Sequence, residues 1–198
     1  MSVSLTTFVD FVSKAGTPKL TVVKNDKHKG PYVPAQDFYK PLREIIIAMH
    51  QRGQSTSVLD ALLSSTQDAK KRTAYPAIVR AYKRWLGRKT VAWFKPVSRI
   101  WSHGGLDVAV NPELGLVING TPHLIKLYFK SEPLTKNRTD IVTHLMGITC
   151  ANGAPAGCRM SVLDVRQANL IVPTVPIPGL TIQLQGEAAY WMTVWPQV

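Results

Sequence analysis

The residues best suited to chemistry in this sequence are the lysines and arginines that gather near its middle. Between Lys70 and Arg99 the chain carries ten basic residues and no acidic one. Within this run the cations have no carboxylate to pair with, so we expect them to attract a polyanion from outside the chain. Nucleic acid is the first candidate, because lysine and arginine neutralise phosphates, and an anionic membrane surface is the second.

The composition of the chain indicates what kind of protein carries this charge. The chain has 198 residues, a formal net charge of +12 and a hydrophobic content of 45%, which excludes global disorder. Residues 51–100 hold eleven basic and two acidic residues and so contribute most of the charge. No apolar run approaches the roughly 18 residues of a membrane span, and residues 1–16 lack the apolar core of a secretory signal. We therefore expect a cytoplasmic protein with no membrane partner.

One predicted helix positions most of the basic residues. Pro76 suits its first position and Gly87 its end. Its apolar residues recur at helical spacing and define a buried stripe, which leaves basic residues on the opposite face. The predicted nucleic-acid-binding residues are those on this face, those just beyond the helix and the basic triplet before it: Arg80, Lys83, Arg84, Arg88, Lys89, Lys70, Lys71 and Arg72.

The rest of the chain predicts an α+β fold with a mixed β-sheet and flanking helices. Residues 1–73 form an N-terminal helical region, apart from a short strand at residues 20–23 and an exposed basic loop at residues 24–34. Strands follow from residue 90, and Asn119-Gly120 predicts a tight turn between two of them. A helix covers residues 139–146, and further strands follow it. Residues 180–184 and 190–194 end the chain as a C-terminal β extension.

From Pro76 onward the order of elements is helix, three strands, helix, strand. This order resembles the core of the restriction-endonuclease-like PD-(D/E)xK nuclease superfamily, over roughly residues 74–172. The resemblance divides the chain into an N-terminal helical region, residues 1–73, and a nuclease-like core with its β extension, residues 74–198. In that family an acid near the second strand and an acid-x-Lys on the third strand gather Mg²⁺, and the lysine helps to activate the attacking water.

Carried over residue by residue, the resemblance implies a catalytic set that lacks one acid. Asp107 stands for the first acid and Lys126 for the lysine, whereas position 124, two residues before that lysine, is leucine. Glu113 at the start of the hairpin is the candidate substitute. In an active enzyme Asp107 and Glu113 would hold Mg²⁺; with the expected acid absent, we expect a degraded site and no cofactor.

Three functions follow from these observations. The favoured one is a nucleic-acid-binding protein, for DNA or RNA, that uses the basic helix face for phosphate contacts on a nuclease-like fold. The first alternative is a Mg²⁺-dependent nuclease with a rearranged site at Asp107, Glu113 and Lys126. The second is a non-enzymatic module whose basic face docks an acidic protein.

Overall fold

The computed structural model describes residues 1–30, 33 and 37–198 and contains two β-sheets and seven α-helices in these ranges. The strands are β1 Ser2–Ser4, β2 Val91–Phe94, β3 Arg99–His103, β4 Leu106–Val110, β5 Leu114–Ile118, β6 Thr121–Tyr128, β7 Arg159–Asp164 and β8 Asn169–Ile171. The helices are α1 Leu5–Val12, α2 Thr17–Lys27, α3 Lys40–Gln51, α4 Ser57–Ser65, α5 Ala69–Leu86, α6 Lys136–Cys150 and α7 Leu180–Val194. Short 3-10 turns occupy Ala151–Gly153 and Trp195–Gln197.

The larger sheet has five strands in the order β2-β5-β6-β7-β8. Strands β6 and β7 run parallel, joined by α6, and the other neighbours are antiparallel. The β5–β6 turn is the predicted hairpin, with positive φ angles of 48° at Asn119 and 84° at Gly120. A smaller sheet, in the order β1-β4-β3, is formed by the β3–β4 hairpin and the N-terminal strand. The fold is therefore α+β with mixed sheets, and the predicted class is confirmed.

Each face of the larger sheet is covered by its own apolar core. On one face α1, α6 and α7 pack against β6 and β7, where Leu124 and Val162 point inward. On the other face α3, α4 and α5 pack against β5 and β6, where Leu116 and Ile125 point inward. Because successive side chains of a strand point to opposite faces, β6 contributes to both cores.

Helix α5 is longer than its sequence predicts. It begins after Asp68, whose carboxylate accepts a hydrogen bond from the Lys71 N–H at 2.8 Å, and it runs through Pro76 to Gly87. The prediction that Pro76 starts the helix is therefore wrong, and α5 crosses the 73/74 boundary between the two predicted regions. Proline in a helix interior costs one hydrogen bond, and burial of Tyr75 and Ile78 on either side of Pro76 offsets that cost.

Two segments predicted as strands are helical. Residues 20–23 lie within α2, which also takes up Lys24–Lys27 of the predicted basic loop; Pro31, Tyr32 and Pro34 of that loop lie outside the described residues. Residues 180–194, the predicted β extension, form α7. The alternation of Leu180, Ile182 and Leu184 suggested a strand, but Ile182 is 74% exposed. Burial follows the helical spacing of Leu184, Ala188 and Trp191 instead.

Two tyrosine hydroxyls of α5 form hydrogen bonds with α3 and with the residues just before it. Tyr82 Oη lies 2.5 Å from His50 Nε2 of α3, and Tyr75 Oη donates to the Phe38 carbonyl at 2.5 Å. Burial lowers the pKa of His50 to about 4. At neutral pH the imidazole is therefore uncharged, and it shares one hydrogen bond with Tyr82 through Nε2. Burial, with the charges of Asp37 and Asp68, raises the pKa of Tyr75 to about 12.

We expect His50 to make the protein less stable in acid. A histidine whose pKa is lower in the folded than in the unfolded chain takes up its proton on unfolding, so its contribution to stability is lost as pH falls from about 6.5 towards 4. Between pH 7 and pH 4 the free energy of unfolding of His50→Gln should fall by roughly 2–3 kcal/mol less than that of the wild type. Urea unfolding at both pH values measures this difference.

The exposed His28 at the end of α2 provides the matched control. His28→Gln should show the same dependence on pH as the wild type. Identical curves for His50→Gln and the wild type would mean that His50 is not the buried neutral imidazole described.

Candidate nucleic-acid interface

The solvent-facing side of α5 is a continuous basic surface. Its exposed residues Thr73, Ala77, Arg80 and Arg84 follow one another at helical spacing, and Arg88 is exposed in the turn just beyond Gly87. Lys70 and Arg72 are exposed at the N-terminal end. We call this set of seven residues the outer face of α5. Within residues 1–30, 33 and 37–198, none of its five cations lies within salt-bridge distance of a carboxylate.

Two of the predicted binding residues have partners inside the protein. The Lys83 ammonium lies 2.6 Å from the carboxylate of Asp60 on α4. Lys89 turns back over the end of α5, where its ammonium donates to the Trp85 carbonyl and lies 5.6 Å from the centre of the Trp85 ring. These contacts reduce the charge that both residues offer to a ligand. Lys71 is half-buried, so the free charge lies with Lys70 and the four arginines.

Glu113 and Lys126, two of the three predicted catalytic residues, are in direct contact. The Lys126 ammonium lies 2.6 Å from Glu113 Oε1 and donates to the Asn111 carbonyl at 2.9 Å. Glu113 Oε2 accepts the Leu127 N–H at 2.8 Å. Both side chains are only 13% exposed. The pair is a closed ion pair in which each carboxylate oxygen already has a donor.

The third predicted residue, Asp107, lies elsewhere. It belongs to β4 and its carboxylate accepts from Ser102 Oγ of β3 at 2.5 Å. Asn111, which contacts Lys126, follows four residues later at the other end of that strand, about 13 Å away along an extended chain. The structure thus brings Glu113 and Lys126 together and leaves Asp107 apart.

The side chains at the predicted catalytic positions do not form a Mg²⁺ site. Mg²⁺ requires near-octahedral oxygen ligands at short distance, but Asp107 is remote and both oxygens of Glu113 are engaged by Lys126 and Leu127. Leu124 is fully buried in the core formed with α1 and α6 and offers no oxygen. Across the described part of the chain, no three His, Cys, Asp or Glu side chains are grouped as ligands of a metal.

The ion pair and the outer face of α5 belong to opposite faces of the larger sheet. Lys126 shares the face of β6 with Leu124, which α1 and α6 cover. Helix α5 covers the other face, where it packs on Ile125 and Leu127. A ligand on the outer face of α5 is therefore separated from Lys126 by the thickness of the sheet and a helix.

A cavity of about 160 Å³ lies beside Lys126, with mainly apolar walls from α1, α6 and β6. Lys130 and Arg138, which line this cavity, both form ion pairs with Asp10 of α1. Burial alone would raise the pKa of Asp10, but hydrogen bonds from these two cations lower it below its ordinary value. The cations around this cavity are thus paired within the protein, unlike those on the outer face of α5.

The sequence did not indicate which residues form ion pairs or hydrogen bonds with the lysines predicted to bind ligand or to act in catalysis. Asp60 lies 23 positions before Lys83, so no helical spacing within α5 indicates this pair. The carbonyl of Asn111, which accepts from Lys126, is a backbone group and leaves no signal in the residue types. Glu113 and Lys126 meet because the β5–β6 register pairs Leu114 with Ile125, and that register follows from the turn at Asn119-Gly120.

No protein-family model matches the chain, and no curated protein sequence matches it. Among the described residues no helix combines the length and the apolar character needed to cross a membrane.

We expect that restoring an acid at position 124 destabilises the protein and creates no metal site. The side chain of Leu124 has no exposed surface, so Leu124→Glu would place a carboxyl group in an apolar core, at a cost of about 3 kcal/mol or more. Urea unfolding with and without millimolar Mg²⁺ measures both effects. Leu124→Met is the control, with a cost below about 1.5 kcal/mol. Stabilisation of Leu124→Glu by Mg²⁺ would contradict this account of the site.

Proposed function

We propose that this protein binds nucleic acid, mainly through phosphate contacts made by the outer face of α5. The observation that carries the proposal is that five exposed cations, Lys70, Arg72, Arg80, Arg84 and Arg88, share one surface without a carboxylate partner in the described part of the chain. On most protein surfaces acids are interspersed with bases and form ion pairs with them.

Binding to such a surface draws on the release of counterions. Each phosphate neutralised by an arginine or lysine frees condensed cations from the nucleic acid, which gives affinity with little dependence on sequence. Arginine also forms paired hydrogen bonds to phosphate oxygens. Arg80 and Arg84 lie one turn apart on α5, and Arg88 is exposed just beyond its end. These three arginines therefore suit neighbouring contacts with a polyanion.

The proposal includes a nuclease-like core that no longer cuts. Helix α5 is followed by β2, β5 and β6 of the larger sheet, then by α6 and β7, which is the order on which the resemblance to the PD-(D/E)xK superfamily rests. The β3–β4 hairpin interrupts this order and pairs in the smaller sheet, so Asp107, which the resemblance places near the second strand, lies outside the larger sheet. The closed Glu113–Lys126 pair supports binding without Mg²⁺-dependent cleavage.

The cytoplasm is the proposed location, where nucleic acid is accessible and thiols stay reduced. Cys150 and Cys158 are both free, in keeping with such a compartment.

Reversing two charges on the outer face should abolish binding without unfolding the protein. The side chains of Arg80 and Arg84 are exposed, so Arg80→Glu combined with Arg84→Glu should change the free energy of unfolding by less than about 1 kcal/mol in total. Fluorescence anisotropy with labelled DNA and RNA measures affinity, and thermal unfolding reports on the fold. Lys14→Glu combined with Lys24→Glu changes the net charge equally at exposed sites near α1 and in α2, and should retain most of the affinity.

Two outcomes would reject the proposal. Unchanged affinity in the α5 variant would place the interface elsewhere, and equal losses in both variants would mean that only total charge matters. An acidic protein that displaces the nucleic acid at physiological salt would favour the docking alternative.

Affinity should also fall steeply with salt. On duplex, the slope of log K against log salt concentration is about −0.9 for each neutralised phosphate. Arg84→Ala should therefore make the slope shallower by about one unit. Titrations at four or more salt concentrations, with EDTA present to exclude a role for metal ions, measure both slopes. A wild-type slope near zero would contradict phosphate contact as the source of affinity.

A further inference from the structure

The cavity beside Lys126 has an apolar wall made of buried side chains. Leu5, Val9, Val142 and Val162 line it, and each of them is at most 8% exposed. The cavity measures about 160 Å³. An apolar cavity of about 150 Å³ holds one benzene molecule. This one therefore has room for a single six-membered ring.

The charged part of the wall holds four cations and one carboxylate. The carboxylate is Glu113, and the cations are Arg43, Lys126, Lys130 and Arg138. Lys126 contacts Glu113, and the other three cations form ion pairs with Asp10 or Asp37, which do not line the cavity. A ligand with a cationic group is disfavoured here, because it would add a fifth positive charge to those of the wall.

Lys130 and Arg138 have more N–H donors than their partners take up. A lysine ammonium has three donor hydrogens and an arginine guanidinium has five. In residues 1–30, 33 and 37–198, the Lys130 ammonium donates to Asp10 alone, at 2.8 Å, and the Arg138 guanidinium donates to Asp10, with Glu132 3.9 Å away. A carboxylate has acceptors only, and its hydrogen bonds to cations are stronger than those of a neutral group. Such donors beside an apolar wall complement a carboxylate that is attached to an apolar ring.

The cavity can be reached from solvent. The Lys130 side chain is 37% exposed, and Thr6, another residue of the wall, is exposed as well. A ligand can therefore place its ring inside while its charged group stays near the surface, where the cost of removing that group from water is small.

We propose that this cavity binds a small monocarboxylate whose apolar body is the size of one six-membered ring. The ring lies against Val9, Val142 and Val162, and the carboxylate accepts hydrogen bonds from Lys130 and Arg138. The site is separated from the outer face of α5 by the larger sheet, so binding here does not depend on nucleic acid.

The test uses four probes that separate the contribution of the ring from that of the charge. Benzoate has both, benzyl alcohol has a neutral head group, benzylammonium has a cationic one, and acetate lacks the ring. Titrations followed by amide NMR shifts give both the affinity and the location of each probe. Thermal unfolding confirms that every variant is folded.

Two variants change the site, and each has a matched control. Lys130→Gln removes a cation from the wall; Lys136→Gln removes an equally ion-paired lysine that lies outside the cavity. Val142→Phe fills the apolar part, and Val194→Phe adds the same bulk at a valine of α7 that is also 8% exposed and does not line the cavity.

We expect benzoate to bind with a dissociation constant of about 1 mM or below, within the range open to a ligand of nine non-hydrogen atoms. Benzyl alcohol, benzylammonium and acetate should each bind at least tenfold more weakly. Lys130→Gln and Val142→Phe should each weaken benzoate binding at least fivefold, and the two controls should leave it unchanged.

Several results would overturn this inference. They are an absence of benzoate binding, shift changes centred away from the cavity, and equal affinity for benzoate and benzyl alcohol. Unchanged benzoate affinity in Lys130→Gln would also overturn it, whether or not Val142→Phe folds. None of these results bears on nucleic-acid binding by the outer face of α5.

Discussion

Burial of the inner side of α5 is the constraint on which the rest of this surface depends. Tyr75, Ile78 and Tyr82 have no exposed area, and Trp85 has 4%. A helix that buries these positions against β5 and β6 must turn Arg80 and Arg84 towards solvent. The hydroxyl contacts of Tyr75 and Tyr82 with the Phe38 carbonyl and His50 add directional anchors to the apolar packing. The buried side of α5 thus contributes to stability and the exposed side carries the charge. Substitutions on the exposed side should therefore have little effect on the core.

The opposite face of the same sheet shows a different use of charge. Lys126 and Glu113 are mostly buried beneath α1 and α6, and each satisfies the other together with nearby backbone groups. Removing either partner would leave a poorly solvated charge, which typically costs several kcal/mol. A carboxylate and a lysine that resemble catalytic residues in the sequence thus act here as a structural ion pair, and the acid that would complete a metal site is replaced by the buried Leu124.

The features that could be predicted from the sequence are those whose local pattern agrees with their tertiary packing. The apolar stripe from Ile78 to Trp85 and the Asn119-Gly120 turn are of this kind. The pattern was misleading at α7, where the alternation of Leu180, Ile182 and Leu184 imitates a strand; only packing of Trp191 against α1 establishes the helix. It was also misleading at Pro76, because propensity places proline at a helix start while tertiary packing extends α5 by two turns.

At the candidate site, the exposure of Arg80 and Arg84 could be predicted from periodicity. The Lys83–Asp60 pair could not, because Asp60 lies on another helix.

The most direct measurement is NMR mapping of the surface that responds to DNA. Because the two candidate surfaces lie on opposite faces of the larger sheet, amide shift changes on titration with a short duplex identify the surface in contact. We expect the largest changes at residues 70–89, with the residues around Lys126, Lys130 and Arg138 unaffected. Changes centred on Lys126 and its cavity, with residues 70–89 unaffected, would contradict binding through the outer face of α5.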